Sequence, residues 1–154
     1  MPVPSSWTSQ AYRQGVPSAL KRFAFLSGFN YNVKKDARGA MEIESRKQNN
    51  VAVVSVKGRV DATTSPDFEN RLLELVGAGE RLIVINFSQL EYISSAGLRS
   101  ILATAKRLKA NQGELFFTGL FGPVDEVFKI SGFHTIFKIF PSDADVLDHC
   151  VAKP

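Results

Sequence analysis

Two adjacent hydroxyls, Ser94 and Ser95, offer the most chemistry in this chain. They follow a strongly apolar run, Leu82-Ile83-Val84-Ile85-Asn86-Phe87, and precede an amphipathic helical pattern that begins at Leu98. That spacing puts them at a strand-to-helix junction. The first N–H groups of a helix lack partners there, and the helix dipole favours negative charge. A serine in such a place can cap the helix, act as a nucleophile or carry a phosphate.

Catalysis fits poorly. A nucleophile elbow needs Gly-x-Ser-x-Gly, and this loop reads Ile93-Ser94-Ser95-Ala96-Gly97, without the first glycine. A serine nucleophile also needs a base. The histidines are His134, in the aromatic-rich stretch Phe133–Phe140 where a structural role is expected, and His149, expected on a solvated position late in the last helix. Cys150 is the only cysteine, so no internal disulfide forms, and it makes no metal ligand set with two histidines in unrelated elements. Asp143, Asp145 and Asp148 read as helix N-terminal acids and a solvated face. Neither Gly-x-x-x-x-Gly-Lys nor Gly-x-Gly-x-x-Gly occurs. The expectation is a protein that is not an enzyme and needs no cofactor.

The elements that hold the serines follow from periodicity. Met41-Glu42-Ile43-Glu44-Ser45 alternates like a half-buried strand, and Lys47-Gln48-Asn49-Asn50 is turn-forming. Val51–Val56 is nearly all apolar, as in a strand covered on both faces. Ser65-Pro66 reads as N-cap and first helical residue. Phe68, Leu72, Leu73, Leu75 and Val76 then share one face, and Gly77-Ala78-Gly79 ends the helix. The strand Leu82–Phe87 follows, implying a parallel crossover.

After the serines, Leu98, Ile101, Leu102, Ala105 and Leu108 form the apolar face of a second helix. Leu115–Thr118 reads as a strand. Gly122-Pro123 opens a short helix with Val124, Val127 and Phe128 inward. Phe137–Phe140 is the last strand, and Ser142–Asp145 caps a final helix carrying Val146, Leu147 and Cys150. A Phe-rich core is expected around Phe116, Phe117, Phe128 and Phe137. The prediction is an α/β fold: one domain, a mixed sheet of about five strands and about four flanking helices.

Charge divides the chain. Residues 1–40 hold six basic residues against Asp36, a net +5, while the rest holds thirteen basic and fourteen acidic residues, a net −1. The main domain lacks the basic footprint of a nucleic-acid binder. No apolar run reaches the roughly 20 residues of a membrane helix, so neither nucleic acid nor membrane is an expected partner, and a reducing, cytoplasmic setting is expected. Residues 1–40 show no sustained periodicity. They are expected to be a poorly structured N-terminal extension, with a short helical turn around 19–26, ahead of a folded domain over 41–154.

Asn86-Phe87-Ser88-Gln89-Leu90-Glu91-Tyr92-Ile93-Ser94-Ser95-Ala96-Gly97-Leu98-Arg99 resembles the signature loop of the STAS domain family, specifically bacterial anti-sigma factor antagonists. Gly58-Arg59-Val60-Asp61-Ala62-Thr63-Thr64 is similar to the family's other loop, with an acid at its end. The resemblance covers about residues 41–150 and implies a partner-switching circuit. The antagonist binds an anti-sigma factor that is also a serine kinase of the histidine-kinase-like ATPase type. Phosphorylation of one serine at the helix start releases it, and a serine phosphatase restores it. On the family's pattern the phosphoacceptor is Ser95, with Ser94, where the family usually has an acid, as second candidate. The implied partner-binding residues are Asp61, Thr63, Tyr92, Ser94, Ser95, Ala96, Gly97, Leu98 and Arg99. The alternative is an unphosphorylated scaffold or adaptor subunit in a larger sensory or transport complex.

Overall fold

The computed structural model describes residues 32–35 and 39–152. The helical turn expected around residues 19–26 lies outside them. Six strands form one sheet in simple sequential order: β1 (Asn32–Lys35), β2 (Met41–Gln48), β3 (Val51–Val60), β4 (Leu82–Ile93), β5 (Glu114–Thr118) and β6 (Lys138–Phe140). The first two pairings are antiparallel and the last three parallel. Among the described residues, four helices connect strands, α1 (Ser65–Gly77), α2 (Ser95–Ala110), α3 (Gly122–Ile130) and α4 (Phe133–Ile136), and α5 (Asp143–Ala152) follows β6.

The mixed α/β sheet is the expected one, with two additions. β1 is an edge strand drawn from the stretch read as poorly structured. Asn-Val-Lys-Lys has no apolar alternation to reveal it, and its order comes from the ladder along β2, Asn32 opposite Ser45 through Lys35 opposite Glu42. α4 is a single turn after Gly132, whose φ of +76° turns the chain.

Successive parallel crossovers in one direction place their helices on one face. The core reflects this. Ala52, Val54 and Val56 of β3, Ile83 and Ile85 of β4, and Leu115 and Phe117 of β5 bury against α1 to α4. The alternate residues Val51, Val53, Val84 and Phe116 form a second cluster with Val146 and Leu147 of α5. Phe116 is therefore not part of the ring cluster expected with Phe117, because neighbours in a strand face opposite ways. Phe117, Phe128, Phe133 and Phe137 do pack edge-on at 5.1 to 5.3 Å.

β4 runs six residues further than its apolar stretch suggests. Its pairing with β3 shifts twice, between Ser55 and Lys57 and between Gly58 and Arg59, each time with one extra residue in β4. Phe87, Leu90 and Ile93 all reach the core at a spacing of three rather than two.

His149 is not solvated. It lies one helical turn after Val146, on the sheet-facing side of α5, with its ring 5.8 Å from Phe116 and 5.3 Å from Phe140. His134 Nε2 donates at 2.9 Å to the Asp125 carboxylate on the surface. Asp143 is no mere solvated acid either. It accepts from Asn86 Nδ2 at 3.0 Å and Thr118 Oγ1 at 2.6 Å, which fastens α5 to β4 and β5.

Candidate functional site

β3 and β4 are neighbours and parallel, so the loops that follow them emerge at the same edge of the sheet. Val60 pairs with Ile93 at the end of the ladder, and the Ser94 amide donates to the Val60 carbonyl at 2.8 Å. Asp61 and Ser94 are each the next residue along. The two loops that resemble family motifs are thus stitched together by backbone.

The first loop is built around the Asp61 carboxylate. Its Oδ1 accepts from the Thr63 amide at 2.9 Å, the Thr63 hydroxyl at 2.7 Å and the Thr64 amide at 3.2 Å. This is an Asx turn, which Asp favours because its short side chain reaches its own backbone two residues on. The Thr63 hydroxyl, then the Thr63 amide and the contacts from Thr64, hold the Asp61 carboxyl below the ordinary carboxylate range. The Arg59 guanidinium stands 4.0 Å from Asp61 Oδ2 and 4.5 Å over the Tyr92 ring.

Thr64, rather than Ser65, is the N-cap of α1, and its hydroxyl does not cap the helix. It donates to the Arg59 carbonyl at 2.9 Å and accepts from the Asp61 amide at 2.9 Å. The side chain is spent on the loop, so Ser65 becomes the first helical residue and is buried.

The second loop delivers the serines. Ser94 is the N-cap of α2 in extended geometry, with no side-chain cap bond. Its Oγ is buried and makes no hydrogen bond among the described residues. Ser95 is the first helical residue and is exposed. Its position at the free end of the helix gives any charge placed on it unpaired N–H groups and the positive end of the dipole.

Of the expected contact residues, Asp61, Thr63, Tyr92, Ser94, Ser95, Ala96 and Arg99 share this edge with surface to offer. Tyr92 is 40% exposed. Gly97 is buried and offers no such surface: a Cβ there would stand 2.7 Å from Val60 Cγ1 and from Ile93 Cγ1. Glycine is needed so that α2 can leave the sheet this closely. Leu98 packs partly against the core. Arg59, not among the expected residues, lies at the same edge through its contacts with Asp61 and Tyr92.

Among the described residues no cluster of His, Cys, Asp or Glu could hold a metal ion, and no helix is long and apolar enough to cross a membrane.

Comparison with known proteins converges on one architecture. The STAS domain matches residues 42–146. A Bordetella bronchiseptica protein, BtrV, named as a candidate anti-sigma factor antagonist, is 39% identical over 99 residues, which cover 64% of this chain and 85% of that protein. The anti-sigma-B factor antagonist of Staphylococcus aureus is 29% identical over 99 residues, covering 64% of this chain and 92% of that one. The crystal structure of an anti-sigma factor antagonist from Mycobacterium paratuberculosis superposes with a TM-score of 0.66 at 25% identity, over 75% of this chain and 97% of that chain.

Proposed function

The chain belongs to the STAS domain family, and on that footing we propose that it is an anti-sigma factor antagonist switched by phosphorylation of Ser95. It binds an anti-sigma factor that is also a serine kinase, is released when Ser95 is modified, and is reset by a serine phosphatase. It performs no catalysis of its own. The names of its relatives support the antagonist role. The observation that carries the switch is the contrast between the two hydroxyls: Ser95 is exposed at the first position of α2, whereas the Ser94 Oγ is buried.

The physics of such a switch is asymmetric. A phosphate adds about −1.5 to −2 charges at neutral pH. In the free domain the α2 N-terminus favours each charge by roughly 0.3–1 kcal/mol. Against a docked partner, the same charge buried without a counter-ion costs about 2–5 kcal/mol. Each 1.4 kcal/mol is about tenfold in affinity, so binding falls by roughly thirty-fold or more while the fold persists.

The test is incubation with kinase-type anti-sigma factors and ATP, followed by intact-mass measurement and site mapping. One added phosphate at Ser95, absent in Ser95→Ala, supports the reading, together with Ser95→Asp folding normally but binding at least thirty-fold more weakly. Modification at Ser94, or stable assembly into a multi-subunit complex with no modification, overturns it.

A further inference from the structure

The helix layer is uneven. α1 and α2 pack side by side over the sheet, but beyond α2 the cover is made by the nine residues of α3 and the four of α4. An open groove of about 730 Å³ runs between α2 and α4 and continues round the start of β5 to Phe116 and Cys150 on the α5 side. Leu102 and Ala105 form one wall, Ile136 and Phe137 the other, and Leu115 lies between them. Leu102 was expected in the core and is 37% exposed; Ile136 is 60% exposed. β6 pairs only with Phe116–Thr118, so Glu114 and Leu115 have no strand beside them on that side.

The charge of the groove is one-sided. Three lysines line it, Lys106, Lys109 and Lys138, against one acid, Glu114. Lys138 binds Glu114 at 2.8 Å and so neutralises that acid. Lys106 and Lys109 are exposed and have no carboxylate partner among the described residues. The stretch 1–31 of this chain holds Arg13, Lys21 and Arg22 and no acid, so its charge does not complement these lysines. A small apolar ligand needs a site that encloses most of its surface. An open trough instead suits an amphipathic helix, which leaves its polar back in water.

We propose that this groove docks an amphipathic helix of a partner protein, with apolar residues at i, i+3, i+4 and i+7 and acidic residues flanking that stripe. The helix fills the space where the layer is thin, and its acids meet Lys106 and Lys109. The groove opens where β4, β5 and β6 begin, at Leu82, Glu114 and Lys138. That is the opposite edge of the sheet from Ser95. Docking there is therefore independent of the switch, and the proposal does not rest on it.

The experiment uses the isotope-labelled full chain and a synthetic helical peptide of about four turns, with a Leu/Phe stripe flanked by Glu. A second peptide carries Lys in place of Glu. The expected result is saturable amide shifts over 102–109 and 136–138. The affinity should fall at least about tenfold in Lys106→Glu/Lys109→Glu, a surface variant that keeps its fold and prefers the Lys peptide. The outcome must be the same for Ser95→Asp. Absence of saturable shifts, shifts centred on residues 61–64 and 92–99, or equal binding of the Lys peptide overturns the proposal. So does occupation of the groove by oleate but not by the Glu peptide, or concentration-dependent shifts there without any peptide, which would assign it to a second copy of this chain.

Discussion

The Ser94 amide donates to the Val60 carbonyl at 2.8 Å, one step beyond the last paired residues of β3 and β4. This single bond sets the Asp61 loop against the start of α2. It also fixes the backbone of Ser94 without using its hydroxyl, which explains how an N-cap serine comes to have an idle side chain.

That idleness is measurable. Replacing a working N-cap serine by alanine costs about 0.5–2 kcal/mol. In Ser94→Ala the lost Oγ is buried and unpaired, so the change in unfolding free energy is expected to stay within about 0.5 kcal/mol. A denaturant titration showing a loss above 1 kcal/mol would mean that the hydroxyl has a partner in solution.

Gly97→Ala should be costly although alanine is the better helix former by about 1 kcal/mol. The new methyl meets Val60 and Ile93 at 2.7 Å, both held in the sheet, and overpacking of this kind costs about 1–3 kcal/mol. With both methyl contacts this short, packing outweighs the propensity gain, so a net loss of up to about 2 kcal/mol and a lowered Tm is the expected outcome. An unchanged Tm would show that α2 can shift freely at its start.

Asp61 makes stability depend on acidity. Its folded carboxyl is held below the unfolded value by Thr63 and Thr64. The contribution is therefore fully present above the ordinary carboxylate range and is lost as pH falls through the lowered folded value. Thermal melts of the wild type and Asp61→Asn should differ most near neutrality and converge in strong acid. A gap that is constant with pH would assign the effect of the substitution to shape rather than charge.

Asn86 faces two ways. Its Nδ2 binds Asp143, and its Oδ1 accepts from the Ser88 amide at 2.8 Å. Asn86→Ala strips Asp143 of one of its anchors and should cost about 1–3 kcal/mol. Hydrogen exchange should accelerate across α5 first, since the contacts of its N-terminal turn are the ones removed. Uniform acceleration through the sheet would contradict this.

Much of this structure is legible from residue order. Apolar alternation marks β2, a nearly unbroken apolar run marks β3, and the 3–4 spacing from Leu98 to Leu108 marks α2. What escapes is whatever depends on neighbours in space. β1 carries no pattern because its order comes from β2. Leu102 fits the apolar face of α2 but faces the gap beside α4, which no local pattern encodes. The serine pair is legible as a pair; which hydroxyl is buried depends on the Val60 contact across the loop.

The end of β4 was hidden for a different reason. Phe87, Leu90 and Ile93 match neither a strand period of two nor a helical one, because each bulge adds one residue. Those two additions act as a phase count between the sheet and α2. A strand shifted by one residue turns its side chains to the other face. Removing one residue between Phe87 and Ile93 would therefore rotate the exit of the chain rather than shorten it, sending Ile93 outward and Ser95 in another direction. The segment can vary in composition at Ser88, Gln89 and Glu91, all exposed, but an insertion or deletion there would mis-aim the helix that follows.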